Sequence, residues 1–196
     1  MTETVEFQKW PSILRERNLF IVAEEKIDGT NAALHIRDGE VVGVQSRKRL
    51  ITVEDDNFGF ARWVAVHQDT LVNSLGDGIH YGEWWGSGIQ RGYGLTNGDK
   101  RFSLFNSARW ASAREHFESL EIGLSVVPTL FHGKAGEQGV EGVREYALTL
   151  LRANGSWAAP GFDRPEGVIL NLLDFNARIK VIPEGWEPQS KKATRG

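Results

Sequence analysis

Two strand-like runs, Ala32–Ile36 and Val41–Ser46, are joined across Asp38-Gly39. Asp-Gly is turn chemistry that closes a hairpin, so the runs predict neighbouring antiparallel strands. Further extended stretches recur at Leu19–Glu25, Ile79–Trp85, Phe102–Phe105, Val126–Leu130, Gly167–Leu172 and Ala177–Ile182. Three stretches read as helices. Glu54–His67 places Phe58, Ala61, Val64 and Ala65 on one face. Ala108–Leu120 is the second. Glu137–Ala153 carries Val140, Val143, Ala147, Leu150 and Leu151 at helical spacing, and Gly155 ends it. Strands with short links and interspersed helices predict an α+β domain built on antiparallel sheets.

The chain has 196 residues, which predicts one domain with enough length to bury a core. At 40% hydrophobic and 25% charged residues it has the balance of a globular protein. Cysteine is absent, which excludes a disulfide scaffold, a zinc ribbon and a thiol nucleophile. Met1–Trp10 carries Glu3, Glu6 and Lys9 and lacks the apolar run of a signal peptide. Every apolar run falls short of the roughly 20 residues of a membrane span. The expectation is a soluble cytoplasmic protein with no membrane partner. The formal net charge of −3 means that a nucleic acid would have to be held by a local basic patch.

Lys26 follows the apolar run and precedes Asp28-Gly29-Thr30-Asn31. A free lysine, with a pKa of about 10.4, is neutral in roughly one molecule in a few thousand at pH 7. Desolvation or a nearby cation turns such an amine into a nucleophile. Taken alone, Lys-x-Asp-Gly reads first as a surface turn. Glu83 in YGEWWG, Phe102 in RFSLF, Glu166 before the strand GVIL, and Arg178 and Lys180 in RIKV widen the set. Residues 178 and 180 are two apart on a strand and share a face. A ring to stack, acids for ribose hydroxyls and cations for phosphate are what a nucleotide needs. Each has a plainer reading as well. Glu83 suits a strand end, and Arg47-Lys48-Arg49 suits a solvated charged face. The five histidines show no ligand spacing. Phe102 and Phe105 face opposite sides of a strand, so one at most lines a pocket, and motif register points to Phe102. Trp84 and Trp85 likewise divide, one into the core and one toward the pocket.

The ordered series EKIDGTN, SRKR, YGEWWG, RFSLF, EGVIL and RIKV resembles the motifs of the covalent nucleotidyltransferases, the superfamily of ATP-dependent ligases and capping enzymes. Thr30-Asn31, GSGIQRGYGLTNGDKRFSLF and VPTLFHG resemble the RNA ligase 2-like branch of the RNA ligases. The resemblance implies one nucleotidyltransferase (adenylation) domain over residues 1–189, two antiparallel sheets flanked by helices around an ATP cleft. Residues 190–196 are small, polar and basic, and the expectation for them is a flexible tail. The family usually carries a C-terminal OB-fold or helical domain; here the expectation departs from it, with neither after Lys180. Lys26 would attack the α-phosphorus of ATP to give lysyl-AMP. Glu25 would accept from the adenine amino group, Glu83 would hold ribose hydroxyls and Phe102 would stack on adenine. Arg47 would contact ribose or the acceptor strand, and Asn31 joins the nucleotide-binding set. Lys180 and Arg178 would contact the α-phosphate. Glu166 would orient Mg²⁺ or Mn²⁺, and Asp28 either assists the metal or only sets the turn. The usual final motif has two lysines flanking one residue, and Arg178 stands in the place of the first. AMP would then pass to an RNA 5′-phosphate, and a 3′-hydroxyl would displace it. A monomer is expected. An ATP-dependent DNA ligase, a capping-type guanylyltransferase using GTP, and a non-catalytic nucleotide- or RNA-binding module are the alternatives.

Overall fold

The computed structural model describes residues 6–186. The tail expected at 190–196 lies outside the described residues. The small sheet has the order β10-β9-β1-β8, formed by β1 (Phe20–Lys26), β8 (Thr129–Lys134), β9 (Gly167–Leu172) and β10 (Ala177–Val181). The large sheet has the order β4-β3-β2-β5-β6-β7. Its strands are β2 (Thr30–Arg37), β3 (Glu40–Ser46), β4 (Leu50–Ile51), β5 (Gly78–Gly86), β6 (Lys100–Leu104) and β7 (Leu124–Val126). The helices are α1 (Phe60–Val66), α2 (Gln68–Leu75), α3 (Arg114–Ser119) and α4 (Gly139–Asn154). The α+β class read from the sequence is the fold observed.

Burial explains how the layers assemble. Ile21, Ala23, Val168 and Leu170 point from the small sheet onto Val143, Ala147, Leu148 and Leu151 of α4. Leu34, Trp84, Phe102 and Leu104 point from the large sheet onto Phe60, Val64, Leu71 and Phe117 of the other helices. Between the sheets Ile27, Trp85, Tyr93, Val127 and Ala159 form a third cluster. The large sheet is therefore covered on both faces, and Trp84 and Trp85 are both buried, at 2% and 0% exposure. This corrects the expected division of one tryptophan to the core and one to the pocket.

Other departures have local causes. Among the described residues four α-helices form rather than three. The first begins at Phe60, because Phe58 and Gly59 take left-handed φ values of 54° and 84°. Phe58 is consequently exposed, and Ala65 lies on the solvent side of α1, so neither is part of the buried face. The stretch Ala108–Leu120 holds only a short 3₁₀ turn and α3. The run Val126–Leu130 is two strands, β7 in one sheet and β8 in the other, separated by Val127-Pro128. Proline cannot donate to a ladder, so the chain changes sheets there. The large sheet is also not wholly antiparallel: β6 and β7 run parallel, with the α3 region as the crossover. Among the described residues no helix is long and apolar enough to cross a membrane.

Candidate active site

The chain crosses from the small sheet to the large one between β1 and β2, and Lys26 stands at that crossing. Its Nζ lies 2.5 Å from Glu166 Oε2, in a part-buried ion pair. Glu166 is delivered by the turn into β9, where Gly167 pairs with Lys26 across the sheet. Gly167 has φ 155°, and a Cβ there would collide with the carbonyl oxygen of Val181 on the neighbouring strand. Gly29 meets a similar limit, since a Cβ there would strike the Trp84 carbonyl. The two glycines let the turns beside Lys26 and Glu166 press against the sheets.

Glu83 comes from β5 in the opposite sheet. Its carboxylate accepts the Gly29 N–H at 3.1 Å and the Asn31 side-chain amide at 3.4 Å. Burial pushes its pKa up to about 7, against the opposing pull of the Lys26 charge and the Gly29 N–H. One amine thus stands beside two acids from separate sheets, one of them titrating near neutrality. Both offer hard carboxylate oxygens, the donor chemistry of a divalent cation that keeps several waters.

Strand register places the cations. Lys180 pairs with Ile169, which pairs with Glu24; Arg178 pairs with Asn171, which pairs with Val22. Paired residues share a face, so Lys180 and Arg178 lie on the Lys26 face of the small sheet, in successive rows leading away from it. Arg178 lines a cavity of about 330 Å³ together with Tyr81, Phe105, Asn106 and Arg109. That cavity takes walls from both sheets. A larger one, about 750 Å³, is lined by Arg101, Ser125, Thr129 and Trp157, and none of the expected site residues borders it.

Two expected nucleotide contacts are corrected. Phe102 pairs with Trp84 in the β5–β6 ladder and therefore takes the helix face. It is fully buried against Phe60, Trp63 and Trp84. The alternation argument holds, and the ring on the cleft face is Phe105. Glu25 points away from Lys26, as neighbours on a strand must. Its carboxylate accepts from Ser156 Oγ at 2.6 Å and from the N–H groups of Trp157 and Ala158 at 2.8 and 2.9 Å. Burial raises its pKa, and these hydrogen bonds oppose the rise. In this structure the Glu25 carboxylate anchors the loop at Ser156–Ala158.

The RNA ligase family model matches residues 19–182. The chain belongs to the RNA ligase family. Among curated proteins no match is found. Similar solved structures come from Naegleria gruberi RNA ligase. A mutant with ATP and Mn has a TM-score of 0.59 and 17% identity, covering 87% of this chain and 52% of that one. A mutant with AMP and Mn has a TM-score of 0.57 and 17% identity, with 85% and 50% covered. The same ligase with PPi gives 0.56 and 17%, with 85% and 50% covered. The chain thus spans about half the length of these structures. The likeness is one of fold.

The remaining residues of this RNA ligase domain fall as follows. Asn31 reaches Glu83, and Arg47 follows β3 immediately and is exposed. Asp28 is paired with Arg91 Nε at 3.1 Å, and its N–H donates to the Tyr93 hydroxyl. Its carboxylate therefore serves an ion pair, which corrects the metal role offered for it. Arg91, Tyr93, Phe105 and Glu24 stand around the candidate site, and sequence reasoning missed them. Glu24 accepts the Ser107 N–H at 3.1 Å and the Asn171 amide at 2.9 Å, fixing the loop after Phe105 to the cleft floor. The available signal for Phe105 was the pairing of β6 with β5. For Arg91 and Tyr93 it was the Gly-rich loop that carries them.

Proposed function

We propose that this chain is the nucleotide-charging domain of an ATP-dependent RNA ligase, with Lys26 as nucleophile. The observation that carries this is Lys26 Nζ held 2.5 Å from Glu166 at the crossing between two sheets, with Glu83 opposite. The neutral amine attacks the α-phosphorus of ATP. An N–P bond forms, the bond from the α-phosphorus to the bridging oxygen breaks, and pyrophosphate leaves. Glu166 is placed to take the proton that Lys26 gives up. Arg178 and Lys180 present positive charge on the same sheet face, where charge neutralisation and positioning supply most of the rate.

Phe105 stacks on the base, replacing Phe102 in that role. Glu83 and Asn31 suit the ribose hydroxyls. Mg²⁺ or Mn²⁺ would be held by Glu166 and would neutralise phosphate charge when bound. The solved structures with ATP, AMP and PPi name three species of such a reaction and support the reading. An RNA 5′-phosphate oxygen then attacks the lysyl-AMP phosphorus and the N–P bond breaks, returning Lys26. A 3′-hydroxyl attacks the resulting RNA-adenylate, AMP leaves and the strand is sealed.

The test is intact mass after incubation with ATP and Mg²⁺. One added AMP, acid-labile and missing in Lys26→Ala, is the expected result. Wild-type protein with no adduct sinks the proposal. A GTP arm separates a capping activity, and nicked RNA against nicked DNA separates a DNA ligase.

A further inference from the structure

The Gly-rich loop Gly86–Gly98 reaches three distant segments through one side chain. Arg91 Nε donates to Asp28 Oδ2 at 3.1 Å. Its Nη1 donates to the carbonyls of Arg164 and Pro165 at 3.1 and 3.4 Å, and its Nη2 to the carbonyl of Trp186. The Arg91 and Asp28 side chains are 11% and 14% exposed. Beside them the Tyr93 hydroxyl accepts the Asp28 N–H at 2.8 Å. The Tyr93 ring packs on Trp85 and Phe162, so the loop is rooted between the sheets. Ile89, fully buried, roots it a second time.

Each bonded segment leads to a group at the transfer point. Asp28 follows closely on Lys26, Arg164-Pro165 run straight into Glu166, and Trp186 lies shortly after Lys180. We propose that Arg91 is a positioning residue for nucleotide transfer to Lys26. It fixes the turn carrying the amine and the turn carrying the acid to one planar group, and it draws in the chain beyond Lys180. The inference rests on Lys26 being the nucleophile. Only arginine meets this geometry: its rigid fork has five N–H donors, whereas lysine offers three from a single point.

The test measures single-turnover adduct formation by the full chain across ATP concentrations with Mg²⁺. Arg91→Ala and Arg91→Lys are expected to lower the rate constant at saturating ATP by about 100-fold. Half-saturating ATP is expected to stay within about threefold. The double variant Arg91→Gln with Asp28→Asn removes both charges and keeps a folded chain in the series; it is expected to be slow as well, since the shorter amide cannot span all the carbonyls. Leu71→Ala, in the helix-side core, supplies destabilisation without touching the loop and is expected to keep the rate. Arg91 variants that react at the wild-type rate overturn the inference. So does a loss confined to half-saturating ATP, or a Leu71→Ala loss as large as that of Arg91→Ala. Wild-type protein without adduct instead refutes the Lys26 reading itself.

Discussion

Lys26 and Glu166 are separated by 140 positions in the chain, yet their charged atoms sit 2.5 Å apart. Glu83, from the other sheet, titrates near 7 because it is buried. Its folded pKa lies above the ordinary 4.5, so folding takes up a proton. The stability this adds is complete below about pH 4.5 and is lost as pH rises through about 7. Glu83→Gln is therefore expected to flatten the fall in Tm across that window, read by thermal melts at several pH values. A melt profile identical to wild type contradicts the shift. The two phenylalanines separate cleanly too. Phe105→Ala is expected to raise half-saturating ATP by about tenfold, the scale of one lost base stack, with a near-native Tm. Phe102→Ala is expected to cost about 3–5 kcal/mol of stability, as a core cavity does, seen in denaturant titration. Lys26, Glu83 and Glu166 were legible only through the motifs around them, which the structure brings together, and the face shared by residues 178 and 180 through alternation along one strand. Phe102 was misassigned because alternation says that two rings part, not which way each points. That needed the pairing of Phe102 with Trp84.

At the scale of elements, the strands were read more reliably than the helices. Strand signals here are local: apolar runs and turn residues. The start of α1 was misread because its periodic pattern extends back past a left-handed break at Phe58-Gly59. Asp56 supplies the stop. Its carboxylate accepts the Ala61 and Arg62 N–H groups at 2.8 and 3.0 Å, capping the first turn from outside it. Asp56→Ala is expected to cost about 1 kcal/mol, a drop in Tm of roughly 2–4 °C. An unchanged Tm contradicts the capping role. The second helix, α2, escaped notice because few apolar residues mark its buried side, Leu71 and Leu75 foremost. The change of sheets at Val127-Pro128 was invisible for a different reason: a run of extended residues does not say which sheet each half joins.

For the whole molecule, two sheets with separate helical cores meet over a third, aromatic-rich cluster, and the site occupies their junction. With a net charge of −3, the proposed RNA substrate would have to be gripped locally. Arg47 and Lys48 are exposed just past β3, whose last residue Ser46 pairs with Ala32, whereas Arg49 is tied to Asp55 at 2.6 Å. Replacing Arg47 and Lys48 by alanine is expected to weaken RNA binding without regard to sequence. It should also reduce the slope of log K against log salt by about 0.7 per lost phosphate contact on a single strand. The same slope in variant and wild type contradicts that footprint. The most direct measurement is the location of the adduct. After reaction with ATP and Mg²⁺ at neutral pH, peptide mass spectrometry is expected to find a single AMP on Lys26, absent from Lys26→Ala. AMP on Lys180 or another lysine, or none on any peptide of the wild-type chain, contradicts the assignment of Lys26 as the nucleophile.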